Sequence, residues 1–570
     1  MPEKLDTINA ASQPHEVNCP EHPAQKNTAE LLVECLENEG VHYIFGLPGE
    51  ENLHVLEALK HSSIQFITTR HEQGAAFMAD VYGRLTGKAG VCLSTLGPGA
   101  TNLMTGVADA NLDRAPLIAI TGQVGTDRMH IESHQYLDLV AMFAPVTKWN
   151  AQIVRPSNTA EIVRKAFKIS QAEKPGAVHI DLPENIAAMI ATGKPLTTDG
   201  QEKSYASFRS IEKAAEAISQ AKNPLILVGN GAIRANASAA LTEFATQLNI
   251  PVANTFMGKG VIPYTHPLAL WAVGLQQRDY ISCGFDRADL VICVGYDLIE
   301  YSPKKWNPDG TMPIIHIGMT SAEIDSSYIP IAEVVGDLSD SLAEISVRCD
   351  RTHQPAPYAL ELRDEIRADY MQYADDDAFP IKPQKIVYDL RQVMGADDIV
   401  ISDVGAHKMW MARHYHCDRP NTCIISNGFA AMGIAIPGAL AAKLVHRDRR
   451  VVAVTGDGGF MMNCQELETA LRVGTPFVTL IFNDGGYGLI EWKQQNQFGS
   501  SCFVKFTNPD FVKLAESMGL KGYRVESCAD LIPTLKEALE QDVPAVIDCP
   551  VDYQENLRFS RRAGDLTCTI

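Results

Sequence analysis

No window of the 570-residue chain approaches the roughly eighteen uninterrupted apolar residues of a membrane-spanning helix. The N-terminus also lacks the charged-then-apolar pattern of a secretion signal, so the chain reads as soluble and cytoplasmic, with no membrane partner. Basic residues are scarce: 49 Lys and Arg face 69 Asp and Glu, a net charge of -20. That balance excludes the basic footprint a nucleic acid demands. Thirteen cysteines are scattered without C-x-x-C pairs, which argues against a zinc site or a disulfide framework and for thiols in a reducing compartment. What is present is ordinary: 46% hydrophobic and 21% charged residues, in a chain long enough for three domains of usual size.

The most informative stretch runs from Val451 to Gly488, VVAVTGDGGFMMNCQELETALRVGTPFVTLIFNDGGYG. An apolar β-branched run meets Gly456-Asp457-Gly458-Gly459, a helical stretch follows, and a second apolar run ends at Asn483-Asp484-Gly485. This spells a βαβ unit, whose two parallel strands end at the same sheet edge, so Asp457 and Asn483 are expected side by side. One carboxylate, one amide oxygen and a backbone carbonyl near Gly485 suit Mg²⁺, which keeps room in its octahedral shell for phosphates or water. Gly458 and Gly459 let backbone N–H groups approach a diphosphate at the helix N-terminus. Gly-Asp-Gly alone is an ordinary strand-to-helix turn; the second strand, ending in Asn-Asp-Gly, makes the ligand reading the better one.

This stretch resembles the diphosphate-binding signature of thiamine diphosphate enzymes. The resemblance implies a second domain that grips the aminopyrimidine ring through a glutamate at a strand end. The run RHEQGAAFMADVYGRLTGKAGV, followed by GPGATNL, resembles that domain, and its glutamate is Glu72. A carboxyl on ring N1′ favours the imino tautomer, whose exocyclic nitrogen accepts the thiazolium C2 proton. In the third domain the resemblance implies diphosphate contacts from Gly405 and His407, with Ala406 where many members carry Gln. Within Ser426–Gly433 it implies that Met432 wedges between the two rings and that the Ala430 carbonyl holds the amino group. Read without the resemblance, Glu72 is a helix N-terminal acid and Met432 a core residue.

Residues 1–26 read as a flexible tail, and alternating helices and short apolar strands begin at Asn27. The expected fold is α/β, with three doubly wound parallel-sheet domains: pyrimidine-binding over 27–190, central Rossmann-like over 205–347, and diphosphate- and Mg-binding over 375–552. A polar linker lies near 190–205 and a second near 348–357. Residues 553–570 read as a C-terminal tail in which Arg558, Arg561 and Arg562 are solvated or fold over the site as a lid. In the central domain, Pro224–Val228 enters Gly229-Asn230-Gly231, a weak nucleotide signal without a third glycine on schedule.

On the substrate side, the resemblance implies that Gln135 hydrogen-bonds substrate and that Lys148 matches a lysine of acetolactate synthases. Arg128, His130 and His134 make the same loop cationic. The central domain resembles the catabolic, FAD-independent synthases: its strand ends in Gly295-Tyr296-Asp297-Leu298-Ile299-Glu300, not in the Arg-Phe-Asp-Asp-Arg that biosynthetic members use around FAD, so flavin is not expected. Trp492 instead matches the biosynthetic enzymes, and Glu491 and Lys493 are unusual beside a 2-oxo acid pocket.

The implied activity is acetolactate synthase, joining two pyruvates with loss of CO₂. An alternative is a simple 2-oxo acid decarboxylase, such as one converting 2-oxoglutarate to succinic semialdehyde with Arg128, His130, His134 or Lys493 as anchor. A remote alternative is a non-catalytic nucleotide-binding protein on the same fold. Because the two coenzyme-binding halves of the family usually meet across subunits, a homodimer or homotetramer with the site at the interface is expected.

Overall fold

A computed structural model describes residues 26–198, 200, 203–274, 280–350, 352–354 and 357–557. Three six-stranded, all-parallel sheets follow one another along the chain. Counting strands within each unit, the first and third share the order 2-1-3-4-6-5, and the central sheet has the order 3-2-1-4-5-6 of dinucleotide-binding folds. The interior strands are short, largely apolar runs buried along nearly their whole length: Pro224–Val228 and Leu117–Gln123 are buried throughout, whereas edge strands such as Lys521–Arg524 are partly exposed. Such runs suit a sheet covered by helices on both faces.

The helix Glu72–Thr86 is capped by the His71 side chain, which accepts from Gln73 N, and ends at Gly87 with φ +68°. It packs against Pro98–Leu112 and, across the domain boundary, against Ala435–Val445. That last approach is close: a Cβ on Gly438 would stand 2.9 Å from Val81 Cγ2. One apolar core therefore runs from the first sheet into the third.

Three features differ from the sequence expectation. The helical stretch after Gly459 is two helices, Asp457–Asn463 and Glu466–Arg472, because Glu466 turns inward. Its carboxylate accepts from the backbone N–H of Arg70 (3.1 Å) and His71 (3.0 Å), just before Glu72. The start of the expected C-terminal tail is packed: Asn556 Oδ1 accepts from Trp410 Nε1 (2.8 Å) and Glu555 Oε2 from Gln384 Nε2 (3.0 Å). Arg558, Arg561 and Arg562 lie outside the described residues, as does the N-terminal tail up to residue 25. Finally, Cys283 is disulfide-bonded, whereas ten other cysteines are free thiols. No helix among the described residues is long and apolar enough to cross a membrane.

Candidate active site

Strands Val451–Gly456 and Val478–Asn483 are neighbours in the third sheet, with Gly456 opposite Phe482. Their ends place Asp457 and Asn483 at one edge, as the βαβ reading requires. Asn508 Nδ2 lies between them, 2.8 Å from Asp457 Oδ2 and 3.0 Å from Asn483 Oδ1. Two oxygens thus converge on one point, which a cationic or hydrogen-bond-donating group fills. Asp548 orients the pair: its Oδ1 accepts from Asn483 Nδ2 (2.8 Å), turning the amide oxygen toward Asp457. Burial pushes the Asp457 carboxyl up, and burial with the Asp457 charge pushes neighbouring Asp484 up to about 7. An edge that concentrates buried acid around two convergent oxygens fits a divalent cation.

Gly485, with φ +65°, is oriented differently from the sequence reading. It donates its N–H to Asp457 Oδ2 (2.7 Å), while its carbonyl accepts from Phe506 N (3.1 Å). One lone pair of the expected third oxygen is thus engaged by Phe506 N. Among the described residues no group of three or more His, Cys, Asp or Glu forms a metal cluster.

Above this edge the loop glycines are crowded. A Cβ on Gly458 would meet the Tyr487 ring at 2.9 Å, and one on Gly459 would meet Thr455 Oγ1 at 2.9 Å and Asp403 Oδ2 at 3.0 Å. The His407 ring sits 3.3 Å from a Gly456 Cβ position and against Gly405. Burial holds this imidazole down to about 3, hence neutral, and its Nε2 is buried without a protein partner. An orphaned ring nitrogen beside two glycines suits a diphosphate oxygen as its missing partner. Asp403, to which the sequence reading assigned no role, ties the surrounding loops together. Its Oδ1 accepts from Val404 N (2.7 Å) and Gly433 N (2.8 Å), and its Oδ2 from Thr455 Oγ1 (3.1 Å). Ala430 has φ +58°, and Met432 is half-buried.

At the edge of the first sheet, Glu72 is 8% exposed, and its Oε2 accepts from Asn102 Nδ2 (2.9 Å). The loop Gly97-Pro98-Gly99 lies between Glu72 and Gln135: a Gly99 Cβ would be 3.3 Å from Glu72 Oε1, and a Gly97 Cβ 2.8 Å from the Gln135 carbonyl. Gln135 itself is exposed, with φ +59°. His134 and Lys493 are exposed, and Arg128 is paired with Glu184. Trp492 is buried and lines a 370 Å³ cavity with Asp484, Glu491, Gln495, Lys505 and Tyr553. Lys505, not singled out from sequence, pairs there with Glu491 at 2.7 Å.

Lys148 stands apart from these groups. Its ammonium donates to the carbonyls of Ile169 (2.6 Å), Ala172 (2.8 Å) and Lys174 (2.6 Å), at the end of helix Thr159–Gln171. Burial holds its pKa down to about 8. A lysine engaged by three carbonyls closes a helix end. Lys148→Met is accordingly expected to lower stability by about 1 kcal/mol, seen as a lower Tm, with kcat/KM changed by less than about twofold.

In the central unit, the Gly229-Asn230-Gly231 turn holds an anion of the chain itself. Both Glu300 oxygens lie 3.1 Å from Asn230 N, and Thr255 Oγ1 donates to the same carboxylate. Burial pushes Glu300 up to about 7. A carboxylate thus stands where a nucleotide phosphate meets such a turn.

A Gly-Asp-Gly edge paired with Asn, an orphaned histidine over glycines and a buried strand-end glutamate define a coenzyme-diphosphate enzyme of three α/β domains. The chain matches the thiamine pyrophosphate enzyme family in all three: the N-terminal TPP binding domain over residues 26–142, the central domain over 211–345 and the C-terminal TPP binding domain over 403–549. It belongs to that family, and within it to the acetolactate synthase-like members. It is 37% identical to a probable acetolactate synthase large subunit of Methanococcus aeolicus, over 95% of both chains. It is 35% identical to an acetolactate synthase of Bacillus subtilis, over 93% of this chain and 94% of the relative. To the catabolic acetolactate synthase of Raoultella terrigena it is 36% identical, over 94% of this chain and 97% of the relative.

Proposed function

We propose that the protein converts two molecules of pyruvate to 2-acetolactate and CO₂, using thiamine diphosphate and Mg²⁺. The observation that carries the cofactor reading is the convergence of Asp457 Oδ2 and Asn483 Oδ1 on the Asn508 amide. The acetolactate synthase activity for which the relatives are named carries the choice of substrate. When bound, thiamine diphosphate supplies the electron sink for decarboxylation of a 2-oxo acid.

The protein's own residues do the rest. Asp457 and Asn483 would hold the cation, with the Gly485 carbonyl as a third oxygen. Backbone N–H groups of Gly458 and Gly459, with Gly405 and His407, receive the diphosphate. Ala430 and Met432 set the bend of the coenzyme, and Glu72 holds and moves the proton at its carboxyl. Gln135, His134, Trp492 and Lys493 face the substrate. The ring-binding and diphosphate-binding halves complete one another across a subunit interface, in a cytoplasmic homodimer or homotetramer. Flavin is not required: the Glu300 carboxylate on Asn230 N supports a central domain that binds no dinucleotide.

Product analysis tests the reading. Purified protein supplied with thiamine diphosphate and Mg²⁺ but no flavin is expected to form acetolactate from pyruvate. Given 2-oxoglutarate in parallel, it is expected to form little succinic semialdehyde, because the Arg128 anchor is paired with Glu184. Succinic semialdehyde with little reaction of pyruvate would overturn the substrate assignment while leaving the cofactor in place.

A further inference from the structure

Four buried charged groups connect the helices of the first domain to segment 425–433 of the third. Arg84 donates from Nε and Nη2 to the two oxygens of Asp80 (2.6 and 3.1 Å), and from Nη2 to Asp109 Oδ2 (3.1 Å) and Asp113 Oδ2 (2.7 Å). All three aspartates are fully buried, and the Arg84 side chain is nearly so. Burying three carboxylates around one guanidinium is a poor way to gain stability, since an apolar replacement of similar volume is often as stable. What the cluster does with its remaining lone pairs is more telling.

Those lone pairs point across the domain boundary. Asp109 Oδ1 accepts from Ser426 Oγ (2.7 Å) and Ala431 N (3.2 Å). Asp113 accepts from Asn427 N (3.0 Å) and from Gly428 N. Arg84 Nη1 donates to the Ile425 carbonyl (3.4 Å). Five of the seven residues from Ile425 to Ala431 are thus held by side chains of another domain. On its other flank, Asn427 Nδ2 donates to the Glu300 carbonyl of the central unit (2.8 Å). The segment is irregular, joining strand Cys423–Ile425 to helix Ala435–Val445, and it carries Ala430 at φ +58°. An irregular segment with a left-handed alanine keeps a single geometry only when its surroundings fix it.

We infer that Arg84, Asp80, Asp109 and Asp113 form a positioning device: they fix segment 425–433, and through it Ala430 and Met432, in the geometry that receives the coenzyme. This rests on the reading of that segment as one that holds the coenzyme. The four residues touch neither substrate nor coenzyme and act through the segment. Helix Glu72–Thr86 carries both Glu72 and Arg84, so one rigid element sets the glutamate of one site and, through the cluster, the Ala430–Met432 segment that the same chain gives to the other site of the dimer.

Three variants test this: Asp113→Asn, which keeps shape and removes charge; Ser426→Ala, which removes only the hydroxyl bonded to Asp109; and Met432→Ala, which alters the segment directly. The readouts are the Kd for thiamine diphosphate with Mg²⁺, the Tm of coenzyme-free protein, and KM for pyruvate at saturating coenzyme. Asp113→Asn is expected to raise the coenzyme Kd about tenfold and Ser426→Ala about threefold, as fits loss of one charged and one weaker hydrogen-bonded anchor. KM for pyruvate and the Tm of coenzyme-free Ser426→Ala are expected to hold, which a purely structural role would not predict. If Met432→Ala weakens coenzyme binding while Asp113→Asn and Ser426→Ala retain the wild-type Kd, the positioning role is overturned and the segment's role stands. If Met432→Ala also keeps the wild-type Kd, the segment does not hold coenzyme and the inference falls with it. Should Asp113→Asn fail to fold, Ser426→Ala decides by the same criterion.

Discussion

Glu72→Gln is expected to lower kcat by about 10³-fold while the protein stays folded and still binds thiamine diphosphate, the size of effect a positioned proton-transferring carboxyl supplies. The shape argument for an intact fold is direct. Glutamine fills the same volume, and its amide oxygen can accept from Asn102 Nδ2 as Glu72 Oε2 does at 2.9 Å. The helix that begins at residue 72 keeps its His71 cap, and the Arg70 and His71 amides keep their Glu466 partner. Stability should therefore shift by no more than about 1 kcal/mol. What the amide lacks is the ability to share a proton with a ring nitrogen. The check is steady-state kcat alongside coenzyme titration. Full activity would remove the proton role from Glu72, and lost coenzyme binding would reassign it to binding.

Much of this arrangement was legible in the sequence, for reasons of local chemistry. Strands such as Pro224–Val228 are continuous apolar runs, and parallel sheets bury both faces, so burial and sequence carry the same signal. The Asp457 and Asn483 edge follows from βαβ topology alone, because both residues end adjacent strands. The parts that were not legible depend on partners distant in sequence. Asn508 bridges Asp457 and Asn483 from 51 and 25 residues away, and Glu466 reaches Arg70 across 396. No periodicity encodes such contacts. The same cause redirected two cationic residues. Lys148 resembles a synthase lysine by position, yet folding sets three carbonyls around it, and Arg128 finds Glu184. The break between Asp457–Asn463 and Glu466–Arg472 was hidden for a related reason: helix propensity favours continuity, and the tertiary hydrogen bonds from Arg70 N and His71 N to Glu466 overrode it.

Asp457→Asn carries the second large expectation: cation-supported coenzyme binding should weaken by at least about a hundredfold, with turnover falling in proportion. Two effects compete in the cation-free protein. Asp457 accepts from Gly458 N at Oδ1 and from Gly485 N and Asn508 Nδ2 at Oδ2, so an asparagine must turn its NH₂ toward at least one donor. That mismatch costs about 1–3 kcal/mol. Against it, the substitution removes a carboxylate whose charge burial disfavours and which stands beside Asp484. The two oppose each other, so the Tm of the cation-free variant should move little. With the cation present there is no such compensation. Asn483 is neutral, and Asp457 is the charged member of the convergent pair, so its loss removes an attraction of about 4 kcal/mol per pair of unit charges at ~4 Å and an effective dielectric of ~20. Even after partial offset by desolvation, that exceeds the roughly 2.7 kcal/mol of a hundredfold change. Thermal melts with and without Mg²⁺ and thiamine diphosphate separate the terms. The wild type should gain Tm on adding both, and the variant should not. A variant that gains as much Tm as the wild type would place the cation elsewhere than between Asp457 and Asn483.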